Sequence, residues 1–288
     1  MKQEELMRYS RHIMLPEIDI VGQEKLANSS IGIIGLGGLG SPCSIYLAAS
    51  GIGTMNLFDD DNVELSNLQR QIIFNSSDVG AKKNLIAKKK LLNLNENIIC
   101  NSFSERITKK NITKLLKDSD FVIDCSDNFE TRKIINEYCF KNDKDLISGA
   151  CIGWKGQIFN FNFSSSNSSC YECLFEEIEE EDLSCRESSI FSPLVGIIGS
   201  FMASELIKKV VSIGELKSEM IEIDLMQNKL NIELIVDDFF DQLKYDNVVY
   251  CEIRFAPLLH CKNNLSPEDV VRIVCNAVLK NTKRTGII

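Results

Sequence analysis

The chain has 288 residues, room for two ordinary domains or one large one, with 44% apolar and 25% charged residues and 5 prolines. That composition excludes intrinsic disorder and collagen-like fibres. With 32 Lys+Arg against 41 Asp+Glu, a formal charge of -9, the chain lacks the basic surplus that nucleic-acid binders use to neutralise phosphates. The uncharged stretch from Ser188 to Ser204 is broken by serines, glycines and Pro193, and falls short of the ~20 predominantly apolar residues that span a bilayer. The opening Met1-Lys-Gln-Glu-Glu5 has no signal-peptide core. Eleven cysteines, scattered from Cys43 to Cys275, read as free thiols in a reducing compartment. The expectation is a soluble, cytoplasmic protein that engages neither membrane nor nucleic acid.

In chain order, the apolar run Ser30–Ile34 feeds the glycine cluster Gly35-Leu-Gly-Gly-Leu-Gly40, and a helical stretch follows from Pro42 to Ser50. Met55–Phe58 reads as a second strand, ending in Asp59, Asp60 and Asp61. Strand, glycine turn, helix and strand make a βαβ unit, which implies an α/β class. Further strands are expected at Phe121–Asp124 and Leu146–Ile147, with helices at Lys83–Leu94 and Glu130–Phe140, in a mostly parallel, doubly wound Rossmann-like sheet. After Gly156 the alternation of Gln157–Phe163 predicts a half-exposed antiparallel strand, so the second half of the sheet is expected to be antiparallel. The acidic run Glu176–Asp182 reads as solvated, Pro193–Val211 as a long apolar helix, and Met220–Leu225 with Leu230–Val236 as a hairpin.

Gly35, Gly37 and Gly40 have the G-x-G-x-x-G spacing after a strand, with Asp59 nineteen residues beyond Gly40. Such glycines let the backbone close on a phosphate, the helix start favours anions, and the carboxylate suits ribose hydroxyls. NAD(H), FAD and ATP all satisfy this motif. Arg70, Lys83 and Asp127 favour a triphosphate, whose oxygens need cationic donors and whose Mg²⁺ needs a carboxylate. Asp127 follows a strand end, where open α/β sheets bind ligands. Ordinary surface charge is the competing reading for Arg70 and for Lys83, which has Lys82 beside it. No G-x-x-x-x-G-K-[ST] occurs, so the P-loop mode is excluded.

Arg8-Tyr-Ser-Arg11, Gly35–Gly40, Ser66-Asn-Leu-Gln-Arg70, Gly80-x-x-Lys83, Asp124-Cys-Ser-Asp-Asn128 and Cys170-Tyr-Glu-Cys173 occur in this order. As a set they resemble the ThiF/MoeB/HesA adenylyltransferases, relatives of the ubiquitin-activating enzymes, over about residues 8–236. The resemblance implies ATP-dependent adenylation of the C-terminal glycine carboxylate of a small ubiquitin-like sulfur-carrier protein, with release of pyrophosphate, for thiamine or molybdopterin sulfur transfer. It implies that Gly38 and Asp59 hold the nucleotide within a binding set that includes Gly35, Gly37, Gly40, Ser66 and Gln69. By the same resemblance Asn67, Arg70 and Lys83 contact phosphates, Asp127 binds Mg²⁺ and Asn128 lies close by. Arg11 is implied to reach into the partner subunit's site in a homodimer, and Cys185 to match a loop cysteine that takes part in sulfur transfer in some members, with a bystander loop thiol as the competing reading.

The chain departs from that family in two places. Cys170 and Cys173 supply two ligands of a four-ligand zinc site, while the second C-x-x-C is missing. Cys251 and Cys261 are separated by nine residues, which is not zinc-clasp spacing, and His260 reads as structural. From residue 237 the sequence instead resembles an internal piece of adenosine deaminase, one strand and one helix without that family's H-x-H metal pair. Deaminase activity is not expected, and a segment of this size, 237–288, is not expected to fold alone. The division expected is thus 1–236 and 237–288. The alternatives to an adenylyltransferase are an NAD- or FAD-dependent oxidoreductase on the same fold, and a catalytically impaired chimeric scaffold.

Overall fold

The computed structural model describes residues 1–164, 170–171, 189–214, 218–225, 229–245, 248–253, 257 and 265–287. They form two compact units, Met1–Ile223 and Asp224–Ile288.

The first unit is built on a seven-stranded sheet in the order β3-β2-β1-β4-β5-β6-β7. The strands are β1 (Ser30–Ile34), β2 (Thr54–Phe58), β3 (Ile99–Phe103), β4 (Phe121–Asp124), β5 (Leu146–Ile152), β6 (Lys155–Phe161) and β7 (Glu219–Asp224). Strands β1 to β5 pair in parallel, and β6 returns antiparallel on β5. Short helices α1 (Gln3–Arg8) and α2 (Ser10–Ile13) precede the sheet. Tyr9 between them is buried, and its hydroxyl accepts a hydrogen bond from Asn95 Nδ2 at 2.8 Å, which pins the N-terminus to the core. Helices α3 (Asp19–Asn28), α4 (Gly40–Ser50), α5 (Lys83–Leu94) and α8 (Ser192–Val211) pack together over one face of the sheet. On the other face lie α6 (Ile112–Leu116) and α7 (Phe129–Lys141), around Ile135, Tyr138, Phe159 and Phe161.

This order carries a functional consequence. The chain winds outward from β1 to β3, then crosses back to place β4 on the other side of β1. Between β1 and β4 the connections leave in opposite directions, so a crevice opens at their carboxyl ends, the general ligand position in such sheets.

Two expectations change here. Strand β6 is buried along both faces: Phe159 and Phe161 stack in the aromatic cluster, while Asn160 donates to Glu205 of α8 at 2.8 Å. The alternation at Gln157–Phe163 thus separates two interior surfaces rather than core from solvent. Second, Leu230–Val236 is not a hairpin strand but part of helix α9 (Lys229–Tyr245).

The second unit pairs α9 with α10 (Pro267–Thr285). Ile232, Val236 and Phe240, spaced four apart, form one buried stripe, and Val270, Ile273, Val274 and Ala277 form the other. Lys280 to Asp237 (2.9 Å) and Arg284 to Asp241 (2.6 Å) link the same helices. The boundary expected after residue 236 falls inside α9, and the compact division lies at Ile223/Asp224. The unit that buries this apolar face, Asp224–Ile288, is larger than 237–288 and takes Ile232 and Val236 of α9 from before that boundary. The helix of the deaminase-like segment is present, whereas 248–253 forms no strand. No helix among the described residues is long and apolar enough to cross a membrane. The 20-residue α8 carries Glu205, Lys208 and Lys209, and lies against the sheet.

Candidate nucleotide site

A cleft of about 710 Å³ lies at the carboxyl ends of β1, β2, β4 and β5. Its floor is the glycine turn. Gly35 has φ +86°, and a Cβ there would stand 2.7 Å from the Cys125 carbonyl oxygen, so the turn between β1 and α4 requires glycine. A Cβ on Gly40 would come to 2.0 Å from the Gly35 carbonyl oxygen, and one on Gly38 to 3.2 Å from Val195. Gly37 differs: its nearest neighbour would be Gln71 Nε2 at 3.6 Å, an ordinary contact. Protein packing therefore explains Gly35 and Gly40, and leaves the approach of a ligand as the reason for a bare backbone at Gly37. Gly40 packs behind the turn and is not among the cleft-lining residues.

Asp59 ends β2 beside this turn. Its Oδ2 accepts from the Leu36 N–H at 2.8 Å and its Oδ1 from the Asp61 N–H at 2.9 Å. Burial pushes its carboxyl above the ordinary 3.8, opposed by the Lys83 charge and by those two backbone bonds. Lys83, the first residue of α5, has only 7% of its side chain exposed and meets Asp61 Oδ2 at 3.0 Å. Its neighbour Lys82 is exposed and donates to the Asp60 carbonyl oxygen at 2.6 Å. The surface-charge reading thus fits Lys82 and not Lys83.

The loop 64–71 folds around buried Asn67, whose Oδ1 accepts from the Glu64 N–H at 3.2 Å and whose carbonyl oxygen accepts from the Arg70 and Gln71 N–H groups. This turn brings Ser66, Asn67, Gln69 and Arg70 to the cleft, with Arg70 Nη1 donating to the Ser66 carbonyl oxygen at 3.1 Å. Gln71 is buried there as well, and its Oε1 has no hydrogen-bond partner among the described residues.

At the end of β4, Asp124 Oδ1 accepts from the Ser126 N–H at 2.9 Å, and its Oδ2 accepts from Ser148 Oγ at 2.8 Å. Arg132 of α7 reaches into the same buried cluster, 3.6 Å from Asp124, and donates to Ser148 Oγ at 2.9 Å and the Gly149 carbonyl oxygen at 2.6 Å. This network moulds the turn that presents Asp127, exposed in the cleft, and Asn128. Asn128 Oδ1 caps α7 by accepting from the Thr131 N–H at 2.9 Å.

Of the expected site residues, Gly35, Gly37, Gly38, Asp59, Ser66, Asn67, Gln69, Arg70, Lys83, Asp127 and Asn128 line one cleft. Arg11 is exposed on α2 and does not line it. Cys170 is half-buried against the aromatic cluster, while Cys173, Cys185, His260 and Cys261 lie outside the described residues. Among the described residues no three His, Cys, Asp or Glu side chains group to hold a metal ion. Asp61, Gln71 and Arg132 also line the cleft and were not singled out. Asp61 closes the acidic triplet after β2 and Gln71 directly follows the Ser66–Arg70 motif; Arg132 carried no signal beyond its place in a helix.

Comparison with known proteins gives this geometry a family. The ThiF family model matches residues 9–238, and an adenosine deaminase model matches residues 216–288. The sulfur carrier protein ThiS adenylyltransferase of Escherichia coli is 39% identical over 221 residues, 75% of this chain and 88% of that protein. The molybdopterin-synthase adenylyltransferase of Escherichia coli is 39% identical over 212 residues, 74% of this chain and 85% of that protein. Among solved structures, E. coli MccB with MccA-N7isoASN superposes with a TM-score of 0.68 at 25% identity, covering 77% of this chain and 69% of that one. With the glycine turn, strand-end acids and match over residues 9–238 in agreement, the chain belongs to the ThiF family.

Proposed function

We propose that this chain adenylylates the C-terminal glycine carboxylate of a small ubiquitin-like sulfur-carrier protein with ATP, releasing pyrophosphate, as a cytoplasmic step of thiamine or molybdopterin biosynthesis. The observation that carries this reading is the convergence of Arg70, Lys83 and Asp127 with the glycine turn in a single cleft. A carboxylate is already ionised at neutral pH, so attack on the α-phosphate needs no protein base. The difficulty is to bring two anions together. Arg70 and Lys83 supply the positive charge, the Gly37 backbone lets phosphate approach the start of α4, and Asp59 accepts from ribose hydroxyls.

Mg²⁺ is bound through one or two carboxylates together with substrate phosphates, and exposed Asp127 fits that donor set, where the ion would supply further charge neutralisation. Arg11, exposed and outside its own cleft, suits a role in the cleft of a second copy in a homodimer. ATP–pyrophosphate exchange in the presence of the sulfur carrier ThiS tests the reading. Arg70→Ala and Asp127→Ala are each expected to lower exchange at least 100-fold while thermal unfolding shifts little, since neither side chain is buried. Exchange within threefold of wild type in either variant would refute the assignment.

A further inference from the structure

We propose that the side-chain amide of Gln71 donates a hydrogen bond to a phosphate oxygen of the bound nucleoside triphosphate. The assignment rests on the adenylation reading above and adds a neutral contact to its charged ones. Gln71 is only 4% exposed, yet it lines the cleft. Nε2 is the end of its amide that faces the glycine turn. A Cβ on Gly37 would stand 3.6 Å from it, and beyond the chain neighbours no other described residue comes within 4 Å. Gly35 and Gly40 are closed off by backbone and Gly38 by Val195. The open position of the turn and the amide thus face each other.

The hydrogen bonding of this amide sets it apart. Among the described residues, buried side-chain oxygens without a partner occur on Gln71, Asn84 and Asn160. Both asparagines are held through their nitrogens, Asn84 by Ser104 Oγ at 2.9 Å and Asn160 by Glu205 Oε2 at 2.8 Å, and neither lines the cleft. Gln71 has no such anchor among the described residues. A buried amide without partners is costly, and a donor facing a cleft has its partner in the ligand. Turning the amide over would seal two donors in place of one acceptor and set an oxygen against the phosphates, so Nε2 belongs on the cleft side.

The backbone fixes Gln71 where its side chain does not. Its N–H donates to the Asn67 carbonyl oxygen at 2.9 Å, its carbonyl oxygen accepts from the Phe74 N–H at 3.0 Å, and Ile73 and Phe74 are buried. Ser192 Oγ, at the start of α8, donates to the Gln69 carbonyl oxygen at 2.6 Å, and Val195 on the same helix packs against Gly38. Helix α8 thereby ties the loop 64–71 and the glycine turn into one frame, which sets the amide opposite Gly37 in advance of binding. Arg70 and Lys83 attract phosphate through charge. A neutral N–H instead rewards direction, since it bonds only an oxygen that arrives on the open side of Gly37.

The test is isothermal titration of the full chain with ATP–Mg²⁺, together with thermal unfolding of the nucleotide-free protein, for wild type, Gln71→Met and Gln71→Glu. Gln71→Met keeps the side chain's length and removes both amide atoms. Its Kd for ATP is expected to weaken roughly 10-fold or more, as for loss of a hydrogen bond to a charged group. Its unfolding midpoint is expected to stay level or rise, because the partnerless oxygen is gone. A merely structural amide predicts the reverse, a lower midpoint with affinity kept. Gln71→Glu keeps the shape but sets a carboxylate against the phosphates, and is expected to bind ATP more weakly than Gln71→Met. ATP affinity within about twofold of wild type in either variant overturns the Gln71 contact and leaves the adenylation reading standing. A lowered midpoint or failure to fold in Gln71→Met also overturns it, by assigning the amide to the fold. Absence of ATP binding by the wild type overturns the adenylation reading and this contact with it.

Discussion

The glycine turn makes two alanine substitutions three residues apart behave in opposite ways. In Gly40→Ala the new methyl carbon would stand 2.0 Å from the Gly35 carbonyl oxygen and 2.9 Å from its carbonyl carbon. Both are backbone atoms of a turn locked at positive φ, so neither can rotate away. Overpacking costs about 1–3 kcal/mol, and a backbone overlap of this depth belongs at the upper end or beyond. For a unit of this size that corresponds to roughly 6–12 °C of Tm. In Gly37→Ala the methyl meets only Gln71 Nε2 at 3.6 Å, and φ lies outside the left-handed range. Stability should change by less than about 1 kcal/mol, since the Cβ fits and the unfolded chain loses entropy. The methyl would instead occupy the space through which a phosphate approaches the backbone. Loss of one hydrogen bond to a charged group costs about 1.5–3 kcal/mol, a roughly 10- to 150-fold weaker Kd for ATP. Urea or thermal unfolding and isothermal titration with ATP–Mg²⁺ read the two effects separately. The reasoning fails if Gly37→Ala loses as much stability as Gly40→Ala, or binds ATP within twofold of wild type.

Two further outcomes follow from the acids flanking the turn. Asp124→Asn removes the charge opposite a guanidinium that has 7% of its side chain exposed, and should cost about 3 kcal/mol in urea unfolding; a loss under 1 kcal/mol would show that the serine and carbonyl partners of Arg132 suffice. Asp59 has a folded-state pKa raised by burial, so on acidification it loses its charge before an ordinary aspartate does, and the fold is not weakened by that protonation. The ATP affinity ratio of wild type to Asp59→Asn should therefore fall toward one with a midpoint above 3.8, and a midpoint at or below that value would contradict the burial.

Local signals were legible wherever chemistry and periodicity coincide. The glycine spacing, the apolar run before it and the acids after Phe58 predict a βαβ unit that the structure contains as β1, α4 and β2. Strand β3, Ile99–Phe103, was missed because it is an edge strand whose sequence, Ile-Cys-Asn-Ser-Phe, has little apolar contrast. Helix α9 was misread for a different reason. Ile232, Leu234 and Val236 alternate as a strand would, yet Leu234 is 55% exposed while Ile232, Val236 and Phe240 are buried, so only the stripe continued past residue 236 discloses the helical period.

The sequence by itself determined the turn chemistry, the α/β class and the identity of the charged groups, because each depends on neighbours within a few residues. Tertiary structure decided which of two adjacent lysines is buried against Asp61, which glycine is spared by packing, and which helix arginine is drawn into the Asp124 cluster. Those outcomes depend on strand order and register, which bring residues 35–40, 59–83, 124–132 and 148–151 to one sheet edge. Burial and pairing are properties of that assembled edge, and no local stretch of chain encodes them.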